Sequence, residues 1–248
     1  MSEKIVVVTG ASSGIGEALA QLVSARHQVV LVARRQAALE AVAARCQGRG
    51  QVNVADVSKR ADVRRVVEES IARFGRLDVW INNVGQGITR VPSELTDDDL
   101  DEIMQVNVKS ALYGMQEVLP HFKGRGEGHI VNVSSMLGRI PNALIRSAYC
   151  GAKHFLNALT ATFREEIQQT HPGIQISLVS PGIVHTNFGL NAMHGGPDSR
   201  SLTGAQTAEE VAQVIAGVIE SRAPDVYTRA GARDRVVAYY SSIGSDPQ

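Results

Sequence analysis

Tyr149 and Lys153 are the two side chains whose types and spacing best suit proton transfer. They are separated by about one helical turn, so a helix would place both on one face. A tyrosine hydroxyl has a reference pKa of about 10, and a nearby ammonium favours the phenolate and lowers that pKa. The pair could therefore give a proton to a developing alkoxide or take one from an alcohol. Taken alone, the same spacing is also typical of two solvated helix neighbours.

A glycine-rich segment near the N-terminus could bind phosphate groups. Gly10, Gly14 and Gly16 follow a short apolar run and precede a helical pattern. Glycines permit a tight turn and a close approach of phosphate oxygens, and the helix N-terminus offers unpaired N–H groups and the positive end of its dipole. Three residues separate Gly10 from Gly14, which differs from the common Gly-x-Gly-x-x-Gly spacing.

The spacing Thr-Gly-x-x-x-Gly-x-Gly resembles that of the short-chain dehydrogenase/reductase family, and the resemblance extends over nearly the whole chain. Further motifs occur in the family's order: Asp56, Asn82-Asn83-Val84-Gly85, Asn107, Ser134-Ser135, Tyr149-x-x-x-Lys153 and Pro181-Gly182. The resemblance implies a Rossmann-like fold, a nicotinamide cofactor and interconversion of carbonyl and alcohol groups.

The resemblance also implies four catalytic residues. Tyr149 would be the general acid/base, and Lys153 would additionally hold the nicotinamide ribose. Ser135 would hydrogen-bond the substrate oxygen, and Asn107 would support a water-linked proton relay to the lysine. The segment between Ser135 and Tyr149 is one residue longer than is usual in the family. We expect this insertion to affect specificity more than catalytic competence.

The cofactor contacts expected from the resemblance and from the pattern of the strands come from six places. They are the glycine-rich turn, the segments after the second, third and fourth strands, the tyrosine–lysine pair, and the loop after the sixth strand: Gly10, Ser12, Ser13, Gly14, Ile15, Gly16, Arg34, Arg35, Asp56, Val57, Asn83, Gly85, Tyr149, Lys153, Pro181, Gly182, Ile183 and Thr186. Asp56 would contact the adenine, but an aspartate there could equally stabilise the turn before the next helix. No metal ion is expected.

The end of the second predicted strand indicates which nicotinamide cofactor is used. NAD-binding folds usually place a carboxylate there for the ribose 2′-hydroxyl, whereas this chain has Arg34 and Arg35. A guanidinium can pair with a 2′-phosphate, which a carboxylate would repel. We therefore expect NADP(H) rather than NAD(H). The alternative is that both arginines are merely solvated loop residues.

Short β-branched runs alternate with longer helical patterns along the chain. The predicted strands are residues 5–8, 29–32, 52–55, 77–81, 129–133, 174–179 and 226–228. The predicted helices are residues 14–26, 36–46, 59–74, 95–122 (as one helix or two), 148–169, 207–221 and 233–243. Continuous apolar strands are expected where both sheet faces are covered. The alternation predicts one doubly wound, parallel α/β domain over residues 1–248, with three layers.

Composition and charge exclude several functional classes. Lys+Arg and Asp+Glu are 25 each, so no basic surplus suggests nucleic acid or a membrane surface as a partner. Cys46 and Cys150 fit neither a disulfide framework nor a zinc cluster. The N-terminal apolar run is too short for a signal peptide, and no run approaches the roughly 20 residues that span a bilayer. A cytoplasmic location is expected.

Residues 187–204 interrupt the pattern with a stretch rich in Gly, Asn, Ser and Pro. An irregular stretch of this length in a compact domain is usually a functional lid or is disordered, and we expect a substrate lid. Its Phe188, Leu190 and Met193 suggest an apolar carbonyl compound as the substrate. Members of this family commonly associate through two long helices, here residues 95–122 and 148–169, so the resemblance implies a homodimer or homotetramer.

Two other functions stay open at this stage. A 3-oxoacyl-[acyl-carrier-protein] reductase would share the fold and the catalytic residues, and would need a basic patch for its acidic carrier. The sequence does not show whether the candidate cations for that patch lie together: Arg90, Lys123, Arg125, Arg139 and Arg146. The other possibility is an NADP-binding regulator that lacks catalysis, against which the intact set of catalytic residue types argues.

Overall fold

The computed structural model describes residues 2–245, which form a seven-stranded parallel sheet with helices on both faces. The strands are β1 (Ile5–Thr9), β2 (Gln28–Ala33), β3 (Gly50–Val54), β4 (Val79–Asn82), β5 (Gly128–Val133), β6 (Ile174–Ser180) and β7 (Asp225–Tyr227). The helices are α1 (Gly14–Val23), α2 (Gln36–Ala43), α3 (Arg60–Phe74), α4 (Asp97–Met104), α5 (Ser110–Arg125), α6 (Ser147–Thr170), α7 (Ala208–Ser221) and α8 (Ala232–Ser241). The predicted doubly wound α/β fold is confirmed.

The strand order β3-β2-β1-β4-β5-β6-β7 creates a switch point at the centre of the sheet. Beyond β1 and β4 the chain leaves in opposite directions, and the carboxyl ends of such strands form a crevice that usually binds the ligand. Thr9 joins the two ends, since its hydroxyl donates to the Ile81 carbonyl (2.9 Å) and accepts from the Asn83 N–H (3.0 Å). These two hydrogen bonds hold the start of the glycine-rich turn and Asn83 next to each other.

The core lies in two layers, one on each face of the sheet. Along β1, Val6 and Val8 pack into the layer that contains Leu19 of α1, whereas Val7 packs into the layer that contains Met115 of α5. All five of these side chains are fully buried. Because both faces are covered, the strands carry continuous apolar runs rather than alternating ones.

The helical region predicted for residues 95–122 is in fact interrupted near its middle. Helix α4 begins after a capping box in which the Asp99 N–H donates to the Thr96 hydroxyl and the Thr96 N–H donates to the Asp99 carboxylate. A π-helical turn, Gln105–Lys109, then joins α4 to α5. Such wide turns are often found at functional sites, and this one contains Asn107.

The ends of several elements differ from the prediction by one turn or less. Helices α1 and α2 end three residues before their predicted ends, and the residues that follow form turns. Strand β4 begins at Val79 rather than at residue 77, because the Asp78 N–H donates to the Ile5 carbonyl before regular pairing starts. Within residues 2–245, every helix is too short or too polar to cross a bilayer.

Candidate active site

The glycine-rich turn has the geometry of a phosphate cradle. Gly10 and Gly14 have φ angles of +67° and +58°, which favour glycine. A Cβ atom at Gly16 would overlap the Gly10 carbonyl oxygen and would lie 2.6 Å from the Asn83 Nδ2 atom. The turn therefore packs against α1 and Asn83 without side chains in between, and it leads directly into the N-terminus of α1.

The turn opens onto a cleft of about 1140 Å³ at the switch point. The predicted cofactor residues that line it are Gly10, Ser12, Ser13, Gly14, Ile15, Arg34, Arg35, Asp56, Val57, Asn83, Gly85 and Thr186. Gly16, Pro181, Gly182, Ile183, Tyr149 and Lys153 are not among its lining residues. The glycine cradle, the helix N-terminus and the size of the cleft together fit a dinucleotide.

The two arginines at the end of β2 are both exposed at the edge of this cleft. The Arg35 Nη2 atom lies 3.2 Å from the Ser12 hydroxyl and 3.4 Å from the Ser12 carbonyl, and it donates to both. This contact holds one guanidinium against the glycine-rich turn. Arg34 has no hydrogen bond or ion pair within residues 2–245, so its charge is unpaired there.

Asp56 also borders the cleft, and its carboxylate closes a local turn. The Ser58 hydroxyl donates to the Asp56 Oδ1 atom over 2.7 Å, and the Ser58 N–H does so over 3.1 Å. The N-cap of α3 is Lys59 rather than Asp56. The turn-stabilising alternative therefore has direct structural support, and it leaves Asp56 at the cleft wall.

Beside the cleft, Tyr149 and Lys153 lie on one face of α6, one turn apart. Tyr149 is 6% exposed and Lys153 is 2% exposed. The Lys153 Nζ atom lies 5.7 Å from the centre of the tyrosine ring and donates to the Val133 carbonyl over 3.0 Å. The predicted juxtaposition is present, but the lysine is held by a backbone carbonyl at the end of β5.

The pKa of Tyr149 shifts in the direction opposite to our expectation. Burial raises the pKa of Tyr149 to about 12, and the contact with Ser135 and the charge of Arg146 oppose the shift. Burial also lowers the pKa of Lys153 to about 8. The lowering of the tyrosine pKa by the Lys153 ammonium stays a prediction, because the charge of Lys153 is not among the causes of this shift. Burial disfavours the charged phenolate and outweighs the opposing effects of Ser135 and Arg146 on the pKa of Tyr149.

Ser135 and Asn107 complete the set of predicted catalytic residues in space. Ser135 is buried, and its hydroxyl interacts with Tyr149 and accepts from the Leu137 N–H over 3.1 Å. A Cβ atom at Gly85 would lie 3.1 Å from the Asn107 Oδ1 atom and 3.5 Å from the Lys153 Nζ atom. Asn107 and Lys153 therefore flank the same glycine, at the rim of the cleft.

The side-chain nitrogen and oxygen of Asn107 both bind backbone groups. Its Nδ2 atom donates to the Gln86 carbonyl (2.9 Å) and the Ile103 carbonyl (3.0 Å), and its Oδ1 atom accepts from the Gln86 N–H (3.1 Å). Asn107 thus fixes the loop after β4 beside Lys153.

Sequence reasoning missed a buried polar network beneath the site. Ser134 donates to the Asn157 carboxamide oxygen, and the Asn157 Nδ2 atom donates to the Gly138 carbonyl over 2.6 Å. This network joins the end of β5 to α6 and fixes the Ser135 loop against the helix that carries Tyr149. Asn157 is one helical turn beyond Lys153, and that spacing was the signal available in the sequence.

Residues 187–204 pack over the site as irregular chain with a short 3₁₀ turn, Ser199–Ser201. The Phe188 ring contacts the Tyr149 ring edge-on, with 5.4 Å between ring centres. Farther along, Met193 forms an isolated bridge with Ile88, and the His194 Nε2 atom lies 2.7 Å from the Asp99 carboxylate. The segment is thus attached both to the tyrosine and to the start of α4.

Comparison with known proteins agrees with this geometry. The family model described as short chain dehydrogenase matches residues 4–194. An uncharacterised oxidoreductase from Staphylococcus saprophyticus is 36% identical over 193 residues, which are 76% of this chain and 77% of that protein. The chain belongs to the short-chain dehydrogenase family, and it is an oxidoreductase of that family.

Two solved structures of this family are also similar. An alcohol dehydrogenase from the archaeon Thermococcus sibiricus, complexed with 5-hydroxy-NADP, has a TM-score of 0.79 at 26% identity and covers 91% of this chain and 96% of its own. A 3-ketoacyl-(acyl-carrier-protein) reductase from Brucella melitensis, complexed with NADH, has a TM-score of 0.80 at 26% identity and covers 92% and 98%. Members of the family with this fold thus bind either nicotinamide cofactor.

Proposed function

We propose that this short-chain dehydrogenase is an NADP(H)-dependent enzyme that interconverts a carbonyl compound and its alcohol. The observation that carries the proposal is the cluster of Ser135, Tyr149 and Lys153, in which Lys153 borders Gly85, a lining residue of the cleft that contains the glycine cradle. A group that binds along the cleft would reach from the phosphate site to a buried proton donor. That arrangement suits hydride transfer coupled to proton transfer.

The residues around the cradle would hold NADP(H). The pyrophosphate would lie at the N-terminus of α1, and Arg34 and Arg35 would pair with the 2′-phosphate. The absence of a carboxylate at the end of β2 supports NADP(H) over NAD(H). When bound, the nicotinamide supplies the hydride in reduction or accepts it in oxidation.

The side chains handle the proton and the substrate oxygen. With a pKa of about 12, Tyr149 is protonated at neutral pH and can donate to the oxygen of a carbonyl as it becomes an alkoxide. Ser135 would donate a hydrogen bond to the same oxygen. Lys153 and Asn107 border Gly85, and they would position the cofactor ribose and return the proton to Tyr149 through water.

The segment 187–204 would act as the substrate lid. Phe188 covers the Tyr149 ring, so a substrate must lie beside an aromatic and largely apolar wall. A small carbonyl compound with an apolar body fits this wall. We further expect the enzyme to work in the cytoplasm as a homodimer or homotetramer that pairs through α5 and α6.

An alternative substrate is a 3-oxoacyl group on an acidic carrier protein, as the Brucella neighbour suggests. The structure argues against a strong carrier-binding patch, because most candidate cations are already paired. Arg90 binds Asp99 (3.0 Å), Arg125 binds Asp78 (2.8 Å) and Arg139 binds Asp225 (2.6 Å). Each pair reduces the charge offered to a partner. A small molecule is therefore the favoured substrate.

A panel of ketones, aldehydes and 3-oxoacyl thioesters, assayed with NADPH and with NADH, tests the proposal. We expect oxidation of NADPH with a small ketone or aldehyde, and lower kcat/KM values with NADH. Arg34→Asp should raise the KM for NADPH far more than the KM for NADH. Binding of NADPH without turnover of any carbonyl would favour a non-catalytic NADP-binding regulator. Equal effects of Arg34→Asp on both cofactors would refute the 2′-phosphate assignment.

A further inference from the structure

Arg146 is a half-buried cation that neither the fold nor the proposed chemistry explains. It lies three residues before Tyr149, at the N-cap of α6. Its Nη1 atom donates to the Ile88 carbonyl over 3.0 Å. Within residues 2–245 this is the one hydrogen bond of its guanidinium, and no carboxylate lies within 4.0 Å of it. Most of the five N–H donors of the guanidinium are therefore unused there.

The other arginines of this region behave differently. Arg90, Arg139 and Arg200 each contact an aspartate at 3.0 Å or less. Burying a cation without a partner is unfavourable, and proteins normally avoid it. Desolvation accordingly lowers the pKa of the Arg146 guanidinium. An anion that binds beside Arg146 would relieve this penalty.

Two glycines let the backbone approach the nitrogen atoms of Arg146 closely. A Cβ atom at Gly87 would lie 2.6 Å from the Nη1 atom, and a Cβ atom at Gly196 would lie 3.0 Å from the Nη2 atom. The same Cβ position at Gly196 is 2.8 Å from the Thr89 hydroxyl oxygen, a buried atom without a hydrogen-bond partner in residues 2–245. An unused cation and an unused hydroxyl therefore meet at one point, under the lid.

This point is close to the reacting groups. Residues three apart at a helix start have Cβ atoms about 5–6 Å apart, and the charge of Arg146 reaches Tyr149. Phe188 contacts both the Tyr149 ring and the Gly87 position. A group bound to Arg146 would thus be only a few bonds from a carbonyl bound to Tyr149.

We propose that Arg146 binds a carboxylate of the substrate, so that the enzyme acts on short oxo acids and the corresponding hydroxy acids. A carboxylate matches the planar guanidinium fork, and its single negative charge balances the positive charge of Arg146. This assignment rests on the proposed carbonyl reduction. It replaces the expectation of a wholly apolar substrate: Phe188 would contact the apolar body, and Arg146 the charged end.

The test compares two carbonyl compounds that differ in charge, phenylglyoxylate and methyl phenylglyoxylate, each with NADPH. We expect a kcat/KM at least about tenfold higher for the acid with the wild-type enzyme. Arg146→Met should reduce kcat/KM for the acid by about 10- to 100-fold and leave the ester within a few-fold. Arg146→Lys, which keeps the charge without the fork, should be intermediate. Arg139→Met, whose charge is paired with Asp225, should retain the preference for the acid.

Binding gives a second measurement that does not need turnover. In the presence of NADPH, benzoate should raise the melting temperature of the wild type and of Arg139→Met but not of Arg146→Met, and benzamide should have no such effect. Reduction of the ester without any preference for the acid would overturn this inference while leaving the proposed function intact. Arg146-dependent benzoate binding without reduction of either carbonyl would support the site and count against the proposed function. Equal losses for acid and ester in Arg146→Met would mean that the arginine only holds the Ile88 loop.

Discussion

Replacing Lys153 by methionine should stabilise the protein relative to wild type as the pH falls, even though it removes a catalytic residue. Lys153 is 2% exposed and its pKa is lowered from 10.5 to about 8 by burial. Below pH 8 both the folded and the unfolded chain carry the proton, and the folded state then contains a desolvated charge. The folded state is therefore destabilised there, and this destabilisation disappears as the pH rises towards 10.5.

The size of this destabilisation follows from the difference between the pKa values of Lys153 in the folded and unfolded chain. A difference of about 2.5 pKa units corresponds to roughly 3 kcal/mol of destabilisation at pH 7, and about half of that or less persists at pH 9.5. Methionine has a similar length and no charge, so its free energy of unfolding lacks this pH dependence. It leaves the Val133 carbonyl without its donor, which costs about 1–3 kcal/mol at every pH. The change with pH in the difference between the two free energies of unfolding therefore reports the buried charge of Lys153.

Urea unfolding at pH 7 and at pH 9.5 measures this signature. We expect the free energy of unfolding of wild type, minus that of Lys153→Met, to rise by about 2 kcal/mol between the two pH values. The pKa of Tyr149, raised to about 12, stabilises the fold mainly below pH 10 and affects both proteins alike. Lys109→Met, at an exposed lysine, is the matched control and should show no such rise. An unchanged difference between wild type and Lys153→Met would refute the burial of a charged lysine at this site.

Three further substitutions test the fold and the cradle. Gly16→Ala should abolish NADPH binding measured by fluorescence, because the added Cβ would overlap the Gly10 carbonyl; retained affinity would contradict the cradle. Gly217→Ala, in an exposed part of α7 with open space around it, should instead stabilise the protein by about 0.5–1 kcal/mol in urea unfolding, and a loss would contradict that geometry. Thr96→Ala removes the capping box of α4 and should lower the free energy of unfolding by about 1 kcal/mol; an unchanged value would argue against the cap.

Local patterns predicted the fold and the places of the reactive residues. Continuous apolar strands followed by helical periodicity were enough to predict the parallel sheet. The spacing of Gly10, Gly14 and Gly16 predicted a tight turn, in which the backbone packs too closely for side chains. The four-residue spacing of Tyr149 and Lys153 placed both on one helix face. These features depend on neighbours in the chain, so the sequence carries them directly.

Other features depend on contacts between distant segments, and the sequence did not reveal them. The raised pKa of Tyr149 results from burial, to which the Phe188 ring of the lid contributes, and no local pattern reports that burial. The π-helical turn at Asn107 is stabilised by Gln86, from the loop after β4. The sequence offered Arg146 only as one candidate cation for a carrier-binding patch, and the structure places its guanidinium against the Ile88 carbonyl without a carboxylate partner in the described chain.

Tyr149→Phe tests the central claim most directly, because it removes one hydroxyl and keeps the ring packed against Phe188. The measurement is the single-turnover rate of carbonyl reduction with NADPH, at cofactor saturation established by fluorescence. Tyr113→Phe, at a tyrosine that contacts Arg60 away from the cleft, is the control. We expect Tyr149→Phe to bind NADPH normally and to lose at least about 100-fold in rate, while the control keeps the wild-type rate. A Tyr149→Phe enzyme that reduces the carbonyl at the wild-type rate would contradict the account.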